Sequence, residues 1–154
     1  MDTHLADRFR MLDSMRKSKL YRARLCSSLT IPSLLPPVGW TEQMELQQPT
    51  SSVGARGVTS LASRMLSAMM PLNDTPFFKF GLRSGVEPTA EITQYLETMS
   101  YQVYRKLAGT NLRETIYQAI QNLIVVGDCL FHIMDDYKFR VTRLDQYVVQ
   151  RSVT

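Results

Sequence analysis

The sequence of 154 residues contains only two cysteines and two histidines. Cys26 and Cys129 are too few and too far apart for a disulfide framework, so we expect two reduced, buried thiols. Neither residue type has the spacing of a zinc site, and we expect neither a metal nor a cofactor. No apolar run reaches the roughly 18 residues of a membrane span, and the polar N-terminus does not resemble a signal peptide.

The usual signatures of catalysis are missing as well. The glycine-containing loop at residues 54–57 has neither the length nor the lysine of a phosphate-binding loop. Asp135 and Asp136 are adjacent, as in many turns, and His132 lies in an apolar stretch that predicts a strand. A hydrolase that uses these three residues is the weakest functional hypothesis, and we expect no enzymatic activity.

Charge is unevenly distributed along the chain. The net charge is +4, and the whole excess lies in residues 1–25, which carry seven basic side chains and three aspartates. A short basic helix of this kind can face nucleic acid, an acidic partner or solvent. The seven residues are Arg8, Arg10, Arg16, Lys17, Lys19, Arg22 and Arg24.

Apolar residues recur at helical spacing over residues 3–29, and they predict one amphipathic N-terminal helix. Pro32 excludes its continuation, because the residue before a proline is pushed out of the helical region. Residues 31–52 contain four prolines and predict an extended connection along the surface. Trp40 is predicted to anchor this connection to the core or to a neighbouring subunit.

Periodicity predicts three further helices, at residues 55–70, 88–107 and 111–126. Gly109 is expected to close the second of these, and Asn111 with Glu114 has the spacing of a capping box for the third. A strand is predicted at residues 77–82. Three more are predicted at 129–134, 138–144 and 147–152, with residues 135–137 as a hairpin turn.

Helices followed by a small antiparallel strand meander predict an α+β fold. We divide the chain into a basic N-terminal helix at residues 1–30, a proline-rich connection at 31–52 and an α+β segment at 53–154. The strand-like tail has no closing element, and a small sheet with an open edge needs cover. We therefore expect the N-terminal piece of a longer protein, or one protomer of an assembly.

The start of the second predicted helix has two interpretations. Gly54 and Gly57 flank Arg56 where free backbone N–H groups and an arginine could hold a phosphate or a neighbour's carboxylate. Alternatively, the loop enters the helix tightly and glycine supplies the backbone dihedral angle that this entry needs.

Several motifs, in order and at similar spacing, resemble the N-terminal signature of the head-to-tail connector, or portal, proteins of short-tailed bacteriophages. They are TIPSLLP at 30–36, VGARGV at 53–58 with LASRML at 61–66 and MP at 70–71, SYQV at 100–103, LIVVGD at 123–128 and YVVQR at 147–151. The basic first helix has a similar counterpart there. The resemblance covers nearly the whole chain, except residues 38–51.

The resemblance implies a structural, non-enzymatic role in the virion. Portals are rings, usually of about twelve copies, at the vertex where capsid meets tail. They nucleate head assembly with scaffolding protein, dock the terminase motor during packaging, pass double-stranded DNA through a central channel and later hold the tail adaptor. The N-terminal part of a portal belongs mainly to its peripheral wing, so the fold is expected to resemble that wing.

Candidate site residues follow from the two lines of reasoning. Trp40, Arg56, Arg64, Arg105 and Arg151 are expected to anchor contacts between subunits or within the wing. The basic helix is expected to face DNA, non-specifically and with strong salt dependence, or an acidic partner in the head. The alternative from another class is a small basic nucleic-acid-binding module, which would bind DNA as a monomer. Neither hypothesis involves a membrane.

Overall fold

The computed structural model describes residues 3–73, 75–83 and 89–150 of the chain. In these ranges five helices precede one two-stranded antiparallel sheet, which confirms the α+β class. The helices are α1 (Thr3–Met15), α2 (Lys17–Leu29), α3 (Val53–Met69), α4 (Ala90–Ala108) and α5 (Leu112–Val125). The strands are β1 (Leu130–Ile133) and β2 (Phe139–Thr142).

The N-terminal helix is broken at Arg16, so the prediction of one continuous helix is wrong at this residue. The amide of Arg16 donates to the carbonyl of Asp13 at 3.3 Å, which is a tighter turn than the α-helix makes. We call this break the elbow. Beyond it, α2 buries Leu20, Ala23 and Ser27 and ends at residue 29, as predicted.

The connection over residues 31–52 contains turns and neither helix nor strand. Its first turn is held against α2 by Ser27, whose hydroxyl donates to the carbonyl of Ile31 at 2.8 Å and accepts the amide of Leu35 at 3.0 Å. Leu35 is thereby buried to 2% exposure. The rest of the connection is mostly exposed, so it is a surface segment that is pinned at one end.

The core lies between α3 and α5, with α2 and the hairpin packed against its two ends. α3 contributes Val58, Ala62 and Leu66, which repeat every four residues and face α5. Ala62 is completely buried, and its small side chain lets the two helices approach closely. The buried apolar residues form two clusters. The first consists of Leu20, Ala23, Leu35, Val58, Val125, Val126 and Leu144. The second consists of Ala62, Leu66, Met70, Leu112, Ile120 and Phe139.

Residues 77–82 do not form the predicted strand. No described strand runs beside them, and an extended segment without a partner has no ladder of backbone hydrogen bonds. Their aromatic rings pack edge to face instead, with centroids 5.0 Å apart for Phe77 and Phe78 and 5.5 Å for Phe78 and Phe80. The amide of Phe80 donates to the buried hydroxyl of Ser100 at 3.1 Å, which fastens the segment to α4.

The hairpin turn is confirmed at Asp135–Tyr137, where Asp136 and Tyr137 adopt positive φ angles of 62° and 55°. β1 and β2 pair with Phe131 opposite Val141. The third predicted strand of the meander is wrong for residues 147–150, which have no regular structure, and residues 151–152 lie outside the described ranges. A 3-10 turn at Leu144–Gln146 turns the chain back towards the elbow instead.

Two predicted helix caps differ from expectation. Asn111 precedes α5 but makes no side-chain cap. The side-chain Nδ2 of Asn111 instead donates to the backbone carbonyl of Phe139 at 2.8 Å, and its Oδ1 accepts the backbone N–H of Phe139 at 3.0 Å. The side chain thus pairs with the edge of β2 as the backbone of a neighbouring strand would. Gly109 ends α4 with φ −79°, so the predicted position is right but the left-handed cap is absent. Gly127 does take φ +79° after α5.

Candidate functional site

The elbow is the most highly connected polar centre of the described chain. Arg16 donates to the backbone carbonyls of Leu144, at 2.5 Å, of Asp145, at 3.3 Å, and of Tyr147. It also pairs with Asp13 at 2.8 Å, and its side chain is only 14% exposed. One guanidinium therefore joins the break between α1 and α2 to the segment that follows the hairpin.

A second polar contact lies beside the first. Lys19 pairs with Asp128 at 2.8 Å, and the phenol of Tyr147 donates to the same carboxylate at 3.2 Å. The hydrogen bond from Lys19 holds the pKa of Asp128 below its usual value. Burial, and then the charge of Asp128, raise the pKa of Tyr147 to about 12. Both groups thus keep their neutral-pH protonation states over a wide range.

These contacts correct the prediction that the whole basic helix faces a partner. Arg16 and Lys19 face the protein's own C-terminal segment, and the Nε of Arg24 donates to the carbonyl of Pro36 at 3.3 Å. Arg10 makes an exposed pair with Asp7 at 3.5 Å. Three basic residues of the set, Arg8, Lys17 and Arg22, have no ion pair or side-chain hydrogen bond with any described residue.

α1 buries almost nothing within the described part of the chain. Leu5 is 63% exposed, Phe9 47% and Met15 70%, and only Leu12 and Asp13 are half-buried. The predicted apolar face of the helix therefore exists, but most of it is uncovered. A helix of 13 residues is marginal in water by itself and depends on packing of such a face.

An open apolar groove lies between α2 and the proline-rich connection. Its volume is about 320 Å³. It is lined by Tyr21, Arg24, Leu25, Ser28, Pro32, Leu35, Pro37, Val38, Leu46 and Gln47. Tyr21 is 72% exposed and Val38 81%, so the rim is apolar too. We call this the α2 groove.

Trp40 lies at the far side of the connection. Its indole N–H donates to the carbonyl of Met44 at 2.8 Å, and the ring is half-buried. A shallow cavity beside it is lined by Arg140 and Arg143 of the hairpin region and by Glu42. Trp40 thus packs near its own chain's hairpin, and its predicted contact with a neighbouring subunit stays a prediction.

The predicted arginine anchors do not come together in the structure. Arg56 and Arg64 lie on α3 and Arg105 on α4, all three exposed. None makes an ion pair or side-chain hydrogen bond with a described residue. Arg151 lies outside the described residues.

Close packing accounts for the glycine at position 54. A Cβ at this position would lie 2.9 Å from the carbonyl oxygen of Leu29 and 3.1 Å from a methyl carbon of Thr30. The start of α3 therefore lies against the end of α2, and the absence of a side chain permits it. The prediction that glycine supplies an unusual dihedral angle here is wrong, because among the described glycines only Gly39 and Gly127 have positive φ angles. Gly54 instead permits the close approach of α2.

The cysteines and the candidate catalytic residues are not gathered into a site. Cys26 is exposed, which contradicts the prediction that both thiols are buried, because it lies on the outer side of α2. Cys129 is half-buried, and burial raises its pKa. His132 is exposed on β1, and no group of three metal-binding side chains occurs in the described ranges. The same ranges contain no helix long and apolar enough to span a membrane.

Sequence reasoning missed three side chains that hold the fold together. Arg113 donates to the carbonyl of Met70 at 2.5 Å, Asn111 pairs with the edge of β2, and Ser27 clamps the connection. Arg113 and Asn111 act on backbone groups that are 43 and 28 residues away, and local spacing carries no signal for such contacts. Ser27 acts on the loop only four and eight residues further on, but its position in a helix does not indicate that role.

Comparison with known proteins identifies the family. The family model for bacteriophage head to tail connecting proteins matches residues 2–154. The chain belongs to this family. It is 28% identical over 142 residues to the portal protein of Escherichia phage T7, covering 85% of this chain and 26% of that protein. It is 27% identical over 151 residues to the portal protein of Enterobacteria phage T3, covering 92% and 28% respectively.

The comparison confirms the resemblance and limits its reach. The chain of this head to tail connecting protein spans about a quarter of the length of the two portal proteins. The matched region includes the elbow, the α2 groove and the hairpin. The elbow, the α2 groove and the hairpin therefore all lie in the part of the chain that the family model matches.

Proposed function

We propose that this chain is the wing part of a portal ring at the vertex where a phage capsid meets its tail. In this role it is a structural element and not an enzyme. About twelve copies form the ring, by closed head-to-tail contacts of one surface with a different surface on the next copy. The ring passes double-stranded DNA during packaging and ejection, docks the terminase motor, and contacts capsid, scaffolding and tail adaptor proteins.

The observation that carries the proposal is the family match over residues 2–154. The distribution of apolar surface supports it. Leu5, Met15, Leu29, Val38 and Leu72 are each more than 60% exposed, which is a large uncovered apolar surface for a small chain. Where exposed apolar side chains adjoin, as Leu25 and Val38 do along the α2 groove, the surface is typical of protein–protein contacts. A ring protomer has neighbours that can cover it.

Electron microscopy of the assembly that contains this chain tests the proposal. We expect a ring of about twelve copies with this chain on its periphery. A population of monomers, at concentrations where the chain is folded by circular dichroism, would contradict it. Mass photometry of the same sample gives the copy number independently of symmetry averaging.

Three basic residues form the part of the N-terminal region that we propose to face DNA. Arg8, Lys17 and Arg22 have no described partner, so their charges are available to phosphates. Reversal of all three to Glu should weaken binding to duplex DNA of any sequence. It should also lower the salt slope by up to about 2.7, at about 0.9 for each phosphate contact.

A charge-matched variant controls this experiment. Reversal of Lys79, Lys106 and Lys138 to Glu changes the net charge equally, at exposed sites to which no contact is assigned. Fluorescence anisotropy over a salt series compares the two variants with the unmodified chain. Equal slopes for the two variants would show that only net charge matters, and the proposed DNA-facing surface would be wrong.

The alternative of a small nucleic-acid-binding module has less support. Four of its seven candidate residues are engaged within the chain, including the nearly buried Arg16. Such a module would bind DNA as a monomer, so the size of the complex in the same titration decides between the two functions.

A further inference from the structure

We propose that α1 is an exchanged arm, which inserts its apolar face into the α2 groove of a second copy of this chain. The inference rests on the proposed function, because a ring places a second copy beside each groove. The inference names both surfaces of one contact between copies, α1 and the α2 groove, and the family relationship names neither. The apolar face of α1 is mostly uncovered, the groove of the same chain is out of its reach, and the groove is apolar like that face.

The arm needs cover because it is short. α1 has 13 residues, and isolated helices of this length are marginal in water. Leu5 and Phe9 lie one turn apart on the same face, and Leu12 continues that face towards the elbow. Most of the face is exposed in the single chain, at 63% for Leu5 and 47% for Phe9. Packing from outside the chain would supply the missing stabilisation.

The chain's own α2 groove is out of reach of its own α1. Arg16 and Lys19 hold the elbow against Leu144, Tyr147 and Asp128. At about 100° per residue, Lys19 is roughly 160° around α2 from Tyr21 and 180° from Ser28, which line the groove.

The last turn of α1 lies on the same side as these contacts. Leu12 and Met15 line a separate cleft together with Tyr147 and Val148. While the elbow contacts persist, the last turn of α1 therefore lies on the side of Lys19, which is away from the groove. The groove stays open to the α1 of another copy.

The groove has the chemistry of a helix-binding site. It is lined mainly by Leu, Val and Pro side chains, and its one charged residue, Arg24, already donates to the carbonyl of Pro36. Its volume of about 320 Å³ is enough for a few apolar side chains such as Leu5 and Phe9. An amphipathic helix that lays its apolar face into such a groove is a common recognition mode. Because arm and groove are different surfaces, repeated insertion is head-to-tail and can close a ring.

Cross-linking between two differently tagged chains tests the contact. Both chains carry Cys26→Ser, which removes the exposed native thiol. One also carries Phe9→Cys and the other Leu25→Cys, at positions 47% and 52% exposed, so neither change should prevent folding. A short bismaleimide should give a heterodimer of the two tags.

The control chain carries Leu61→Cys in place of Leu25→Cys. Leu61 is 47% exposed on α3 and does not line the groove. We expect heterodimer for the Phe9–Leu25 pair and only background for the Phe9–Leu61 pair. Equal yields would overturn the inference, because they would reflect collision alone.

Two further outcomes separate this inference from the proposed function. Rings without the Phe9–Leu25 cross-link would overturn the arm exchange and leave the portal role intact. The cross-link without rings would support the arm exchange and count against the portal role. Hydrogen exchange gives a second readout that needs no variant: amides of α1 should gain protection as chain concentration rises, while those of α5 should not change. Concentration-independent protection of α1 would also overturn the inference.

Discussion

Arg16 is a mostly buried charged residue, and we expect the packing of the N-terminal helices against the C-terminal segment to depend on it. Its guanidinium donates to three backbone carbonyls and to one carboxylate, and only 14% of the side chain is exposed. Substitution by Ala removes all of these contacts at once. It leaves the carbonyl of the buried Leu144 without its donor.

The expected loss of unfolding free energy is about 3 kcal/mol. A hydrogen bond from a charged donor contributes about 1.5–3 kcal/mol, and a carbonyl that stays buried without a donor costs about 1–3 kcal/mol. Water can reach the half-buried Asp145 and Tyr147 after truncation, which keeps the total well below the sum of three bonds. The pair with the half-exposed Asp13 adds less than about 1 kcal/mol.

Urea denaturation followed by circular dichroism measures this loss. With a slope of about 2 kcal/mol per molar urea, the midpoint should fall by about 1.5 M. Arg16→Lys should recover only part of the loss, because an ammonium cannot reproduce the planar fork of donors. Arg22→Ala is the matched control, since Arg22 is exposed without a described partner, and it should change stability by less than about 0.5 kcal/mol. If Arg16→Ala behaves like this control, the elbow contacts do not stabilise the fold.

Four other expectations follow from the same structure. Asn111→Ala should cost about 1–3 kcal/mol in urea denaturation, because it removes both bonds to the edge of β2, while Asn111→Asp should recover at most the acceptor bond. The pKa of Asp128 is lower in the folded chain than its unfolded value of 3.8. The carboxylate therefore contributes fully to the free energy of unfolding above pH 3.8, and this contribution is lost as pH falls through the folded pKa. Asp128→Asn should make the free energy of unfolding depend less on pH in that acidic range. The pKa of Tyr147 is raised to about 12 in the folded chain. The neutral phenol therefore contributes fully to the free energy of unfolding below pH 10, and this contribution is lost as pH rises towards 12. Tyr147→Phe should make the free energy of unfolding depend less on pH in that alkaline range, and an unchanged pH dependence would contradict the burial of the phenol. Maleimide should label the exposed Cys26 faster than Cys129, whose thiol is half-buried with a raised pKa, and equal rates followed by mass spectrometry would contradict this environment.

Local patterns were sufficient for the helices and for the hairpin turn. Helix periodicity and proline positions predicted α3, α4 and α5 to within about two residues. Asp135 and Asp136 predicted a turn because short polar side chains tolerate positive φ angles, which Asp136 adopts. The family motifs were also recognisable, since they depend on residue identity and order.

Patterns that need a distant partner were not sufficient. Residues 77–82 have strand-like composition, yet they pack as aromatic rings on α4 because no described strand lies beside them. Asn111 has capping-box spacing, yet its amide pairs with the edge of β2. In both cases the local propensity amounts to about 1 kcal/mol or less, which a tertiary contact can override.

The sequence by itself determined the α+β class, the concentration of positive charge in the first 25 residues and the membership of a connector family. Each of these is a property of composition, period or order along the chain. Only the tertiary structure decided which basic residues are free and which apolar faces are covered. Arg16 and Lys19 lie within two residues of Lys17 in the sequence, but they are engaged because residues 128 and 144–147 fold back against the elbow. The use of a charge depends on the groups within about 4 Å of it, and apart from Asp13 those around Arg16 and Lys19 come from more than 100 residues away along the chain.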